Sequence, residues 1–110
     1  MNRGNRWVVF GTAVMLLQVG VASGAGSYTV SQKEKKFSVA TLAVKPGDKV
    51  LFKNEDDIIH NVFSTSKGLE FNLSAQKPGM ASEQTFAVEG VAEVRCAFHP
   101  AMKLTITVKK

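Results

Sequence analysis

The stretch KFSVATLAVKPGDKVLFKN, residues 36–54, decides the fold. Phe37 and Val39 share one parity and Leu42 and Val44 the other, so the apolar face changes side around Ala40–Thr41. Side chains alternate strictly along a strand, and a change of parity requires a bulge or a passage between sheets. KPGD, residues 45–48, is a turn in which Pro46 fixes φ and Gly47 permits φ > 0. Beyond it Val50 and Phe52 point inward and Lys49 and Lys53 outward, until the polar NEDD at 54–57 closes the strand. Short alternating runs joined by turns argue for layered β structure and against helix.

The same grammar continues on both sides. SYTV at 27–30 is a first strand, and KEKK at 33–36 is a solvated edge or loop. IIHNVFST opens another strand at 58–65, a looser stretch follows, and KPGM at 77–80 is a second Pro-Gly turn. QTFAVEG presents Phe86 and Val88 on one face. VAEVRC places Ala92, Val94 and Cys96 inward, with Glu93 and Arg95 outward. KLTITVKK ends the chain with Leu104, Ile106 and Val108 inward. About seven strands of this spacing make an all-β sandwich.

Residues 1–25 carry a different pattern. Arg3 and Arg6 precede the apolar run WVVFGTAVMLLQVGV, and Ser23 and Ala25 suit the −3 and −1 positions of a cleavage site. This predicts a secretory signal peptide over 1–25, a single domain over 26–110, and a location in the periplasm or outside the cell. The run is too short and interrupted for a membrane span, so no stable membrane insertion is expected. Arg3 and Arg6 would leave with the leader, reducing 14 basic residues to 12 against 9 acidic ones, a net +3. An excess that small and scattered argues against nucleic acid and allows at most a preference for acidic partner surfaces.

The chemistry lies in CAFHPAM, residues 96–102. It holds the chain's one cysteine, a histidine three residues on, and a methionine three further. Pro100 constrains a tight loop between the end of one inward-alternating strand and the start of the last. Taken singly, a strand cysteine is a small buried hydrophobe or an intermolecular disulfide, and His60 is a structural or surface histidine. Together Cys96, His99, Met102 and His60, the only other histidine, are the soft-sulfur and imidazole set that suits copper. Met80 follows a Pro-Gly turn and is expected to pack in a loop, leaving Met102 as the axial candidate.

The Cys-x-x-His-x-x-Met spacing resembles that of the plastocyanin-like cupredoxins, the type 1 blue copper proteins, and among them the short-loop amicyanins. The likeness extends upstream through F…LAVKPGDKVLFKNEDDIIHNVFS and covers about Phe37 to Val108. The resemblance implies an eight-stranded Greek-key sandwich, one copper ion cycling between Cu(I) and Cu(II), and one-electron transport. It implies a metal set of His60, Cys96 and His99 with Met102 as long axial ligand. It also implies that Asn61 pins the ligand loops together and gives its backbone N–H to the thiolate. Phe98 and Ala101 depart from the Pro and Phe frequent beside the histidine, Ala97 lacks the usual hydroxyl, and Leu104 stands where glycine is common.

The leading expectation is a soluble monomeric carrier that docks transiently near His99 with redox proteins, and not an enzyme. Four protein ligands leave no open position for substrate. The alternative is a periplasmic protein that binds, buffers or delivers copper. A metal-free module joined through Cys96 is the third reading.

Overall fold

The computed structural model describes residues 25–110, and the expected leader lies outside them. Nine strands follow one another: β1 Ser27–Lys33, β2 Lys36–Phe37, β3 Thr41–Val44, β4 Asp48–Asn54, β5 His60–Ser64, β6 Phe71–Gln76, β7 Ala81–Phe86, β8 Gly90–Arg95 and β9 Lys103–Val108. They form a five-stranded sheet in the order β3-β9-β8-β5-β6 and a four-stranded sheet in the order β2-β1-β4-β7. Both sheets are mixed: β3 runs parallel to β9 and β1 parallel to β4, and the remaining pairs are antiparallel. No helix among the described residues is long and apolar enough to cross a membrane. The fold is the expected all-β sandwich.

The change of parity near Ala40 is a change of sheet. β2 ends at Phe37 in the four-stranded layer, and β3 begins at Thr41 in the five-stranded one. Phe37 and Val44 are therefore both buried although their parities differ. Val39 is not: it is 41% exposed, because it sits on the crossing segment outside either sheet. The seven expected strands become nine because the run from Lys36 to Val44 divides into β2 and β3, and because the stretch after β5, read as looser, forms the strand β6.

The core lies between the layers. Val30, Val50 and Phe52 from one sheet meet Val62, Ala92, Val94, Leu104, Ile106 and Val108 from the other. Phe52 and Phe71 stack at 6.2 Å, and Phe71 meets Phe86 edge-on at 5.7 Å. Phe86 is buried, whereas Val88, expected beside it, is 48% exposed because β7 ends at Phe86. A buried polar strip crosses the same interior. Gln32 Nε2 donates to Gln76 Oε1 (2.9 Å), and Gln76 Nε2 donates to the Phe52 carbonyl (3.1 Å). Asn54 Nδ2 donates to the carbonyls of Ile58 and Gln76, each at 2.9 Å. Buried polar groups are as a rule paired; in this strip Gln32 Oε1 alone has no partner among the described residues, and the remaining bonds fix the floor from which the 54–60 loop rises.

Candidate metal centre

His60, Cys96 and His99 converge at one end of the sandwich. Each contributes one donor atom, and the three atoms lie within 4.8 Å of one another. Cys96 continues the inward alternation of β8 and is buried. Three residues later the chain has turned enough to bring His99 Nδ1 to 3.9 Å from Cys96 Sγ. The Met102 N–H then donates to the His99 carbonyl (2.9 Å), which closes the loop and delivers the chain into β9. Met102 is 2% exposed, at the junction of loop and core. Met80, by contrast, is 43% exposed with its Sδ accepting from the Lys77 N–H, so it does not pack as expected.

His60 opens β5 and is fully buried. Its Nε2 lies 2.8 Å from Asp56 Oδ2. A carboxylate only accepts, so Nε2 carries the proton and Nδ1 keeps its lone pair. That nitrogen faces Cys96 Sγ at 3.8 Å. Asp56 is held in turn: the Lys35 N–H donates to the same oxygen (3.0 Å) and the Asp57 N–H to the other (3.1 Å). The His60 hydrogen bond first, then that from Lys35, keeps this carboxyl well below the usual carboxylate range. Sequence reasoning missed Asp56. An acid four residues before a histidine was the available signal, but inside NEDD it looks like any solvated turn.

Asn61 couples the two halves. Its backbone N–H donates to Cys96 Sγ (3.3 Å), and its Oδ1 accepts from the Ala97 N–H (3.3 Å). The missing hydroxyl at Ala97 is thus replaced by that residue's own backbone. Asn61 Nδ2 donates to Asn72 Oδ1 (3.0 Å) and to the Ser74 carbonyl (2.9 Å), across a register shift in the β5–β6 pair. Ser74 takes φ +63° there.

The donor set fits a first-row transition ion. With metal–sulfur and metal–nitrogen bonds of about 2.3 and 2.05 Å at trigonal angles, sulfur and nitrogen stand ~3.8 Å apart. The two Sγ···Nδ1 separations are 3.8 and 3.9 Å. The His60 and His99 rings meet at 5.0 Å between centroids and 60° between planes, and one nitrogen of each lies within 4.8 Å of the other and of the sulfur. Thiolate with two imidazoles is a copper-selecting combination.

The comparisons agree with this geometry. The family of copper binding proteins, plastocyanin/azurin family, matches residues 25–109. Amicyanin-alpha of Methylorubrum extorquens is 31% identical over 90 residues, covering 77% of this chain and 74% of that protein. The methylamine utilization protein MauL of the same organism is 28% identical over 111 residues, covering 92% and 97%. Among solved structures, a reduced amicyanin mutant superposes with TM-score 0.70 at 29% identity, covering 82% of this chain and 87% of that one. A purple cupredoxin from Nitrosopumilus maritimus gives 0.66 at 25% identity, covering 74% and 98%. The chain belongs to the copper-binding plastocyanin/azurin family.

Proposed function

We propose that this protein is a diffusible one-electron carrier of the periplasm or extracellular space, whose one copper ion would be held by His60, Cys96, His99 and Met102. The observation that carries the reading is the convergence of two imidazole nitrogens and the sulfur, with the His60 ring and the Cys96 loop held by the protein's own hydrogen bonds. Copper supplies a Cu(II)/Cu(I) couple. The chain supplies rigidity: Asp56 fixes the His60 ring, Asn61 fixes the Cys96 loop, and β-sheet lies behind both. A donor set that need not move when the charge changes favours fast electron exchange over bond-making chemistry. The same closure supports a carrier over an enzyme, since four protein donors leave no position for a substrate.

His99 is the exit. It is only partly buried, and its Nδ1 faces Cys96, so its ring edge points away from the sulfur. Phe98, 52% exposed, with Pro100 and Ala101, forms an apolar collar about it. Such a collar suits brief contacts with a redox partner, and the carrier works as a monomer.

Addition of Cu(II) to the domain should produce an intense visible band that reductant bleaches and reoxidation restores. Cys96→Ser should remove the band, because oxygen cannot replace the soft sulfur donor. Colourless Cu(I) binding without reversible redox would assign the protein to copper delivery instead.

A further inference from the structure

Two pairs of like charges face each other across strands at the metal end of the sandwich. Lys33 and Lys36 are register partners flanking the β1–β2 turn, and Lys103 and Arg95 are partners at the start of β9 and end of β8. All four are exposed. Directly opposed side chains sit about 5 Å apart at Cβ, and like charges there destabilise a sheet. Among the described residues none of the four joins an ion pair, although Lys49 and Lys53 both do. The turn between the first pair is itself costly: Glu34 and Lys35 take φ +52° and +58°, without the Gly or Asn that such a turn favours. The Lys35 N–H is spent on Asp56, the carboxylate that holds His60. A shallow groove is lined by one member of each pair, Lys36 and Lys103, together with Lys35, Val39 and Ala101, and Met102 forms part of its wall.

We propose that this basic groove is a docking surface for an acidic redox protein, engaged from the Met102 side of the site and meeting the apolar collar at His99 only at Ala101. The inference rests on the carrier reading and names the partner's chemistry. Unpaired positive charge on both banks raises the encounter rate with a negative surface, and exposed Val39 and Ala101 between the banks allow close approach. Glu34, at the tip of the turn, does not line the groove, and Asp56 is turned inward to His60. The repulsion that two like-charged pairs cost the fold is relieved when carboxylates sit between them.

The test uses the 15N-labelled chain, copper-free and Cu(I)-loaded, titrated with hexaglutamate at low ionic strength. Amide shifts should cluster at Lys33–Lys36, Val39, Arg95 and Lys103 in both forms, and fade with salt as the Debye length falls to about 8 Å at 0.15 M. The double variant Lys36→Glu with Lys103→Glu should bind about tenfold more weakly, since two attractions become repulsions. It should also melt no lower than the parent, because each substitution turns a like pair into an opposite pair. The control Lys109→Glu with Lys110→Glu, at the far end of β9, should bind within about twofold of the parent. Unchanged affinity in the first variant, equal loss in the control, or shifts scattered over the surface would overturn the proposal. Binding to vesicles of anionic phospholipid without response to hexaglutamate would overturn it too, and assign the strip to a membrane. The copper-free arm separates this outcome from the carrier reading, which the absorption spectrum tests alone.

Discussion

Asn61→Ala is the perturbation that tests whether the two halves of the site are mechanically joined. The side chain makes three hydrogen bonds, to Asn72, Ser74 and Ala97. At about 0.5–1.5 kcal/mol net each they would total ~1.5–4.5 kcal/mol. Asn72, Ser74 and Ala97 are exposed and recover water when Asn61 is truncated, and the Ala97 bond is long at 3.3 Å. The lower end therefore applies, about 1.5–2.5 kcal/mol. For a domain this small, each kcal/mol shifts the melting temperature by about 4–8 °C, so a fall of roughly 10 °C is expected. Thermal unfolding of the copper-free protein, followed by far-ultraviolet circular dichroism, measures it without any contribution from metal binding. Asn61→Asp sharpens the test. It keeps the acceptor for Ala97 but turns an oxygen toward Asn72 Oδ1 and the Ser74 carbonyl, so at neutral pH it should cost at least as much as alanine. A melting temperature within about 2 °C of the parent for both variants would refute the idea that these bonds hold the loops together.

Two further outcomes follow from individual contacts. Asp48 accepts hydrogen bonds from the Lys45 and Gly26 N–H groups, and the Lys45 bond first among them lowers its pKa against the opposing effect of burial. A lowered folded pKa means stability present above the unfolded value of about 3.9 and lost as pH falls through the folded one. Asp48→Asn should accordingly flatten the acid limb of a stability–pH profile, and an unchanged limb would show that this carboxylate carries none of it. Met102→Gln should retain copper but lower the reduction potential, because a harder donor favours Cu(II); loss of copper on dialysis would show that Met102 carries binding instead.

The alternation of Ala92, Val94 and Cys96, and of Leu104, Ile106 and Val108, was legible because each of these strands has one face in the core and one in water. The switch at Ala40 was legible for the same reason, since a parity change has few structural causes. Val39 and Val88 were misplaced because each lies just beyond a strand, where periodicity no longer governs which way a side chain points, and Met80 is exposed because it sits on the Pro-Gly turn before β7. At 33–36 the expected solvated loop is present, but its backbone conformation was hidden by composition. KEKK contains neither Gly nor Asn, so nothing in it announces two residues at positive φ. The convergence of Cys96 with His60 is a long-range event, 36 residues apart, and no local pattern contains it. Only the scarcity of cysteine and histidine pointed there.

What holds His60 shows why local reading could not reach the whole site. His60 pairs with Gln76 across β5 and β6, and the Gln76 carbonyl accepts from Asn54, the residue that ends β4. Asn54 also receives the Asp56 N–H on its Oδ1 (2.9 Å) and donates to Ile58. The loop from 54 to 60 is thus clamped at both ends by one buried amide, and Asp56 is presented to the imidazole from a fixed base. In the sequence Gln32, Asn54 and Gln76 look like polar interruptions of strands, destined for solvent. In the fold they are fully buried, and the chain from Gln32 through Gln76 and Asn54 to Asp56 is continuous. An apolar replacement at Asn54 would satisfy the core and leave this loop unbraced. The polar strip is thus the part of the core that orients His60, the proposed metal ligand, and the hydrophobic remainder holds the sheets that carry it.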